Sequence, residues 1–385
     1  MSSSRKRVGI LVDTSSGWGR RVIRGVANYA LKRSSWQLVV EERGINETMQ
    51  LQAEQDVDGI IARIGDRQLH DELVASGKPV VNVSGILLDG IDLPRVTTDY
   101  EALGRLALQH FIDRGFRNLA YTGLEYRPYE QRHCRAFTEA ADSYGLPCSV
   151  FDSTCKSRIR SRDTDRTELA RWLQQLPKPL GILTWGNRRA RTVLNACHQA
   201  GMAVPEQVAV LSGDDDELLC EVCHPPLSAV VTPAEQMGHE AARILDAIMQ
   251  GEPAPQEPML IPPTNIHTRL STDTLAIADP HMCRAIAFIR DNLRRPIQVS
   301  DVAAAAGLSR RALERRFEKQ LTRSPAREIQ RTRLEQAGKL LQETDLPVAH
   351  VAATCGYGSM EYLIKVFRES TGHTPLKYRS RIKAR

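Results

Sequence analysis

Apolar positions in the first 270 residues gather into short runs, most of them separated by longer stretches of mixed apolar and polar residues. Val8–Val12 reads as a strand and Gly19–Lys32 as the helix that follows it. The same alternation recurs at Gln37–Val40, Gly59–Ala62, Pro79–Val83, Asn118–Thr122, Leu180–Leu183 and Val208–Leu211. Short β-branched runs with helix-length spacers cannot close as hairpins, so each strand must cross over to a parallel neighbour under a helix. Two doubly wound parallel sheets fit the spacing, one up to about Thr97 and one from about Asn118 to Leu211. Leu227–Val231 and a helix over Ala234–Gln250 are expected to return toward the first. The predicted fold is thus a two-lobed α/β unit, with crossed-over segments and a cleft between the lobes.

The pattern then changes. Gly251–Pro263 is proline-rich, and Ser271-Thr272-Asp273 and Asp279-Pro280 are poor helix formers, which places a linker at 271–280. The domains expected on either side are 1–270 and 281–385, the second all-α and starting with a helix over His281–Leu293. Within it, a short apolar helix, a glycine turn and a polar helix occur twice, over Val299–Leu321 and over Val348–Ser370. In the first copy Val299, Val302, Ala303 and Ala306 form the apolar face, Gly307 turns the chain and Ser309 caps the next helix. In the second, Gly356-Tyr357-Gly358 turns and Ser359 caps. This is the grammar of two helix-turn-helix units.

Charge sharpens that division. Residues 281–385 carry 21 Lys and Arg against 10 Asp and Glu, a formal +11, which leaves −5 for residues 1–280. A polyanion partner such as double-stranded DNA is therefore expected at the C-terminal end alone. No apolar run is long enough to span a bilayer, Val8–Val12 is too short for a signal-peptide core, and the expected compartment is the cytoplasm. Cys220-Glu-Val-Cys223 with His224 lacks the second ligand pair of a closed zinc site, so no metal and no cofactor is expected.

The last hundred residues resemble the DNA-binding domain of AraC/XylS-type transcription activators. The likeness rests on Gly307-Leu308-Ser309, Leu313, Arg315, Phe317, Arg333-Leu334-Glu335, Ala337, Leu340-Leu341, Cys355-Gly356-Tyr357, Tyr362, Val366-Phe367-Arg368, Thr371-Gly372, Thr374-Pro375 and Tyr378-Arg379. His350 and Leu363 depart from the residues common there. The first 270 residues resemble LacI-type repressors and periplasmic sugar-binding proteins, through Val204-Pro205-Glu206, Val208–Leu211, Asp214-Asp215, Pro226–Val230, Met237-Gly238 and Ala241-Ala242. The order of the two is similar to that in bacterial regulators of pentose use. That resemblance implies a homodimeric activator that binds an operator, meets RNA polymerase and senses a small sugar, D-xylose first.

Open α/β sheets place ligands beyond the C-terminal ends of their strands. Asp13, Trp18, Arg20 and Arg21 follow the first strand, Trp185 and Asn187 follow Leu180–Leu183, and Asp214 follows Val208–Leu211. Sugars need carboxylates, amides and guanidinium groups at the ring edge and aromatic faces above and below, which these loops supply. The resemblance makes Asp214 the leading ligand residue; a helix N-terminal carboxylate is its plainer reading. LacI-type sensors carry a ligand-binding arginine three residues before a Gly-aromatic pair. Here the pair is Ala136-Phe137, so His133 takes that place with Arg132 beside it. Trp36 and Trp172 read as core, and Asp99 as a helix N-cap.

For the DNA contact, Ser309, Arg310, Arg311, Glu314 and Arg315 occupy the exposed start of the first recognition helix, and Ser359, Met360, Glu361, Tyr362 and Lys365 that of the second. Leu313, Phe317, Val366 and Phe367 are assigned to the core. A helix over Ser324–Gln342 has the length to join the units rigidly, so that one monomer spans two major-groove turns about 34 Å apart.

Two rivals remain. A sugar phosphate would suit Arg20, Arg21 and Arg132. A nicotinamide-dependent enzyme would use Gly17-Trp18-Gly19 and Glu41-Glu42, but Val22 stands at the third glycine position and Trp18 where a pyrophosphate would approach. No Gly-x-Ser-x-Gly elbow is present, and no catalytic residue is assigned.

Overall fold

The computed structural model describes residues 5–33, 36–42, 56–86, 88, 90, 92–123, 128–151, 162–276 and 279–383. The chain divides into two units, Met1–Phe111 with Phe116–Leu275, and Ala276–Arg385 with Ile112–Gly115.

The first unit opens with β1 (Lys6–Leu11), α1 (Gly17–Arg33), β2 (Trp36–Val40), β3 (Gly59–Ala62), α2 (Arg67–Ala75), β4 (Val80–Asn82) and β5 (Val96–Thr98). There follow α3 (Tyr100–Asp113), β6 (Asn118–Thr122), α4 (Pro128–Ser143), β7 (Cys148–Val150), α5 (Arg162–Gln175), β8 (Leu180–Thr184), α6 (Asn187–Gln199), β9 (Val208–Ser212), α7 (Glu217–Glu221) and β10 (Ser228–Val231). It ends with α8 (Ala234–Met249), β11 (Met259–Ile261), β12 (Asn265–His267) and a single 3-10 turn at Leu270–Thr272. One sheet runs β2-β1-β3-β4 and is parallel throughout; the other runs β12-β10-β9-β8-β6-β7 and is parallel except for β12. A third pairing joins β11 to β5.

Ser228–Val231 departs from expectation. It stays in the second sheet, with Ser228 opposite Leu211, and only α8 returns to the first lobe. Its Ser228, Ala229 and Val230 have no exposed surface, which an all-round buried strand finds only in the middle of a sheet. The chain therefore passes between lobes three times, at β5 to α3, at β10 to α8 and at β11 to β12.

The first lobe is held by α1 against α8. Val22, Val26, Tyr29 and Ala30 recur at helical spacing and bury against Met237, Ala241, Ala242 and Leu245, and large apolar side chains contribute about 1.5–3 kcal/mol each when fully covered. The two backbones approach so closely that a Cβ at Gly25 would lie 1.9 Å from the Glu235 carbonyl, and one at Gly238 2.0 Å from that of Val22. In the second lobe Phe111 meets Phe116 and Phe137 at 5.8 and 6.2 Å between ring centres. Trp36 is buried in the first core, Trp172 packs on Phe151, and Asp99 caps α3 by accepting from Ala102 N–H at 2.9 Å. At the start of the expected linker, Ser271 and Thr272 are fully buried, and Ser271 Oγ bonds the Val210 carbonyl at 2.6 Å.

The second unit is helical: α9 (Pro280–Asp291), α10 (Val299–Ala306), α11 (Arg310–Leu321), α12 (Pro325–Glu343), α13 (Val348–Thr354), α14 (Met360–Thr371) and α15 (Pro375–Lys383). Asp279, Ser309, Ser324 and Ser359 accept backbone N–H groups at the starts of α9, α11, α12 and α14, satisfying donors no helix can pair internally. Gly307 sits at φ 66°, where only glycine turns without strain, and ends α10. Under α12, Glu328 is 1% exposed and receives Arg323 at 2.5 Å and Arg331 at 2.7 Å.

Candidate functional site

The strand ends of both lobes bring most of the expected sensor residues together. Asp13, 1% exposed beyond β1, accepts from Ser16 N–H at 3.2 Å and from Arg63 Nη1 at 3.1 Å. Trp18 packs on the first-lobe core with the Arg63 guanidinium 5.5 Å above its ring. Arg63 follows β3 immediately, so the strand-end rule that selected Asp13 would also have found it.

From the second lobe comes a run of three carboxylates. Asp214 accepts from Arg21 Nη2 at 3.1 Å and from Thr232 Oγ1 at 2.9 Å. Burial nevertheless raises its pKa above the usual carboxylate value, against the pull of Arg21 and Thr232. Asp215 is held by His267 at 2.6 Å and Arg269 at 3.1 Å; burial works to raise its pKa, but the His267 hydrogen bond and the neighbouring cations bring it below the ordinary value. Asp216 accepts from Gly17 N–H at 2.9 Å and has Arg20 at 3.7 Å. The α1 N-terminus, where a dinucleotide enzyme would seat a pyrophosphate, is thus filled by the chain's own carboxylate. Arg20 also bonds the carbonyls of Thr14 and Ser15, at 3.1 and 2.9 Å. Asn187 stays behind this loop. With its amide nitrogen toward the oxygens it donates to Ser212 Oγ at 2.8 Å and the Asp214 carbonyl at 2.7 Å, and accepts from Asp216 N–H at 2.7 Å.

His133 is buried on α4, its Nδ1 2.9 Å from Tyr121 Oη and its Nε2 without a partner among the described residues. Burial lowers its pKa to about 3, so the imidazole is neutral. Its ring lies 5.1 Å from that of Trp185 and 5.9 Å from Tyr100. The Arg132 guanidinium sits 5.8 Å over the Tyr100 ring. Tyr100 and Thr232 follow β5 and β10 and were not singled out from the sequence; β5 is only three residues long, and Leu227–Val231 was expected to return toward the first lobe.

On the second unit, Ser309, Arg310, Arg311, Arg315, Ser359, Met360, Glu361, Tyr362 and Lys365 are exposed and Glu314 is half-exposed. Arg310 is paired with Glu314 at 2.9 Å, whereas Arg311 and Arg315, one turn apart, have no ion pair among the described residues. Tyr362 leans on Tyr357 at 6.1 Å, and Leu313, Phe317, Leu363, Val366 and Phe367 form the apolar underside. Exposed cations on a capped helix with an apolar back suit a major-groove reader.

Comparison with known proteins agrees with this division. Residues 7–102 match the XylR N-terminal domain, 108–272 the periplasmic binding protein-like domain and 302–381 a helix-turn-helix domain. The Xylose operon regulatory protein of Escherichia coli K12 is 30% identical over 98% of each chain. The chain belongs to the xylose operon regulatory protein family. The Haemophilus influenzae member is 28% identical over 98% of this chain and 99% of its own. Among solved structures, one described as the xylose-binding transcription activator xylR is 29% identical, covers 99% of both chains and superposes with a TM-score of 0.65. A LacI family regulator from Enterococcus faecium with bound ribose shares the fold of the first unit, at 20% identity and a TM-score of 0.56 over 71% of this chain. Like those regulators, this family member carries sensor and reader on one chain. No helix among the described residues is long and apolar enough to cross a membrane.

Proposed function

We propose that the protein is a transcription activator in which D-xylose, bound between the two lobes of the first unit, controls how the paired helix-turn-helix units engage a double-stranded operator. The observation that carries this reading is the end-to-end match to xylose operon regulatory proteins, sensor and reader together. The cleft chemistry supports it. Asp13 and Asp214 are acceptors for ring hydroxyls, His133 is neutral, and Trp185 and Tyr100 offer aromatic surface. Arg20, Arg21 and Arg63 are already bonded to carboxylates, so around Asp13 and Asp214 a neutral polyol is better served than an anion. The cytoplasm, a homodimer and contact with RNA polymerase belong to the same reading.

A ligand shifts such a switch only through a difference in its affinity for the two states. Titrating D-xylose while measuring operator affinity is therefore the direct test, and a saturable change in operator affinity is the expected result. If no pentose changes it, the effector assignment falls, while operator binding without sugar still decides the DNA assignment. A thermal-shift panel of pentoses, hexoses and sugar phosphates separates the neutral from the anionic effector.

A further inference from the structure

At the hinge side of the cleft, three hydrogen-bond donors are buried without acceptors among the described residues. Arg95, just ahead of β5, is 6% exposed, and its Nη1 has no partner. Thr97, two residues on and therefore on the same side of the strand, has a buried, unpartnered Oγ1. Asn82 at the end of β4 is bridged to Arg95 in parallel register; its Oδ1 accepts from Ser84 N–H at 2.8 Å, but its Nδ2 is buried and unpartnered. A buried donor left unpaired is destabilising, and a buried unpaired charge more so. Three on one face are a standing deficit of acceptors.

The opposite lobe adds charge of the same sign. Arg132 on α4 lines a cavity of about 110 Å³ together with Leu260 of β11. β11 is the strand next to β5, and Met259 N–H bonds the Arg95 carbonyl at 2.8 Å. Three carboxylates and Arg135 also line that cavity: Asp99 caps α3, while the exposed Glu101 and Glu139 lie 3.7 Å from Arg105 and Arg135. Neither Arg95 nor Arg132 has a carboxylate partner among the described residues, and burial followed by the Arg132 charge lowers the pKa of Arg95. Two cations that repel across the lobes oppose their approach unless something negative lies between them.

We propose that Arg95, Asn82 and Thr97, with Arg132 from the facing lobe, bind a small oxyanion beside the sugar cleft. A guanidinium offers a paired fork to a phosphate or carboxylate, and the amide and hydroxyl supply further donors to its remaining oxygens. Bound there, the anion removes the repulsion between the lobes and favours the closed sensor, so anion and sugar strengthen one another's binding. Tyr100 separates the two sites, with Arg132 over its ring and Trp185 at 6.2 Å. The coupling to sugar rests on the sensor reading above; the anion site itself does not.

Inorganic phosphate titrated calorimetrically into the full-length protein, at constant ionic strength in chloride buffer, is expected to give saturable one-to-one binding. Arg95→Met should abolish it while leaving the thermal midpoint in chloride unchanged or higher, because an unpaired buried charge is removed. Thr97→Val should weaken it about 3- to 10-fold. Absence of saturable phosphate binding, or binding that Arg95→Met leaves intact, overturns the proposal. A second arm identifies the source of the anion. Phosphate that tightens xylose binding several-fold marks a free ion. A preference for xylose 5-phosphate over xylose that Arg95→Met removes marks the anionic end of one larger effector. Since the phosphate titration needs no sugar, failure to bind any pentose sinks the effector reading and leaves this test standing.

Discussion

A neutral His133 at the centre of an aromatic cluster is a titratable group held in one form by its surroundings. Its folded pKa of about 3 lies below the ordinary histidine value of 6.5. Between those values the unfolded chain binds a proton that the folded chain does not, so stability is complete above pH 6.5 and declines as the pH falls toward 3. Chemical unfolding of the sensor from pH 7 to pH 4 should lose on the order of 1 kcal/mol per pH unit from this residue, and His133→Gln should remove that share. The carboxylate Glu328 also loses its contribution on acidification, but for a different reason. Burial alone raises its pKa, but hydrogen bonds and charge from Arg331 and Arg323 win, and the folded value falls below 4.5. Its contribution is present above the unfolded value and lost as the pH falls through the folded one. Glu328→Gln leaves two arginines facing an uncharged amide and should destabilise the second unit by about 3–5 kcal/mol, read by denaturant unfolding. At Asp214 the readout is ligand affinity. Asp214→Asn should weaken xylose binding about 10- to 100-fold, the worth of one charge-assisted hydrogen bond.

Elements show where sequence patterns suffice and where they stop. β3 and β6 have the bounds their apolar runs indicate, and α1 extends only two residues before and one beyond the helical pattern at Gly19–Lys32. β5, β7, β11 and β12 have three residues each and escaped the reading, whereas the equally short β4 was caught because the apolar run Pro79–Val83 extends beyond it at both ends. With β5 and β11 unread, so were Tyr100, Arg95 and the third passage between the lobes. Asp214 was visible as a candidate because it follows a long strand; its bond to Arg21 was not, because the two are 193 residues apart. The α1–α8 contact yields a test at this scale. Gly25→Ala or Gly238→Ala must push two backbones apart and should cost about 1–3 kcal/mol in unfolding free energy. Along α11, Arg311→Ala or Arg315→Ala should each weaken operator binding by about 1–3 kcal/mol, measured by anisotropy at fixed salt. Arg310→Ala should do less, its charge being held by Glu314.

Over the whole chain, the charge division confines the DNA contact to the C-terminal unit, and operator affinity should fall steeply with salt while sugar affinity does not. The three passages between lobes also govern how the chain is born. The first lobe lacks α8 and β11 until residue 261 is made, and the second lacks its β12 edge until residue 267. Neither lobe can finish folding on a ribosome that has released only the first 230 residues, although both sheets are by then nearly complete. A nascent fragment of that length exposes the Val22–Val26–Tyr29 face of α1 that α8 later covers. Synthesis thus sets an order in which the sensor is closed by its last strands before the helix-turn-helix pairs emerge, and a pause near residue 230 should make the polypeptide dependent on chaperones.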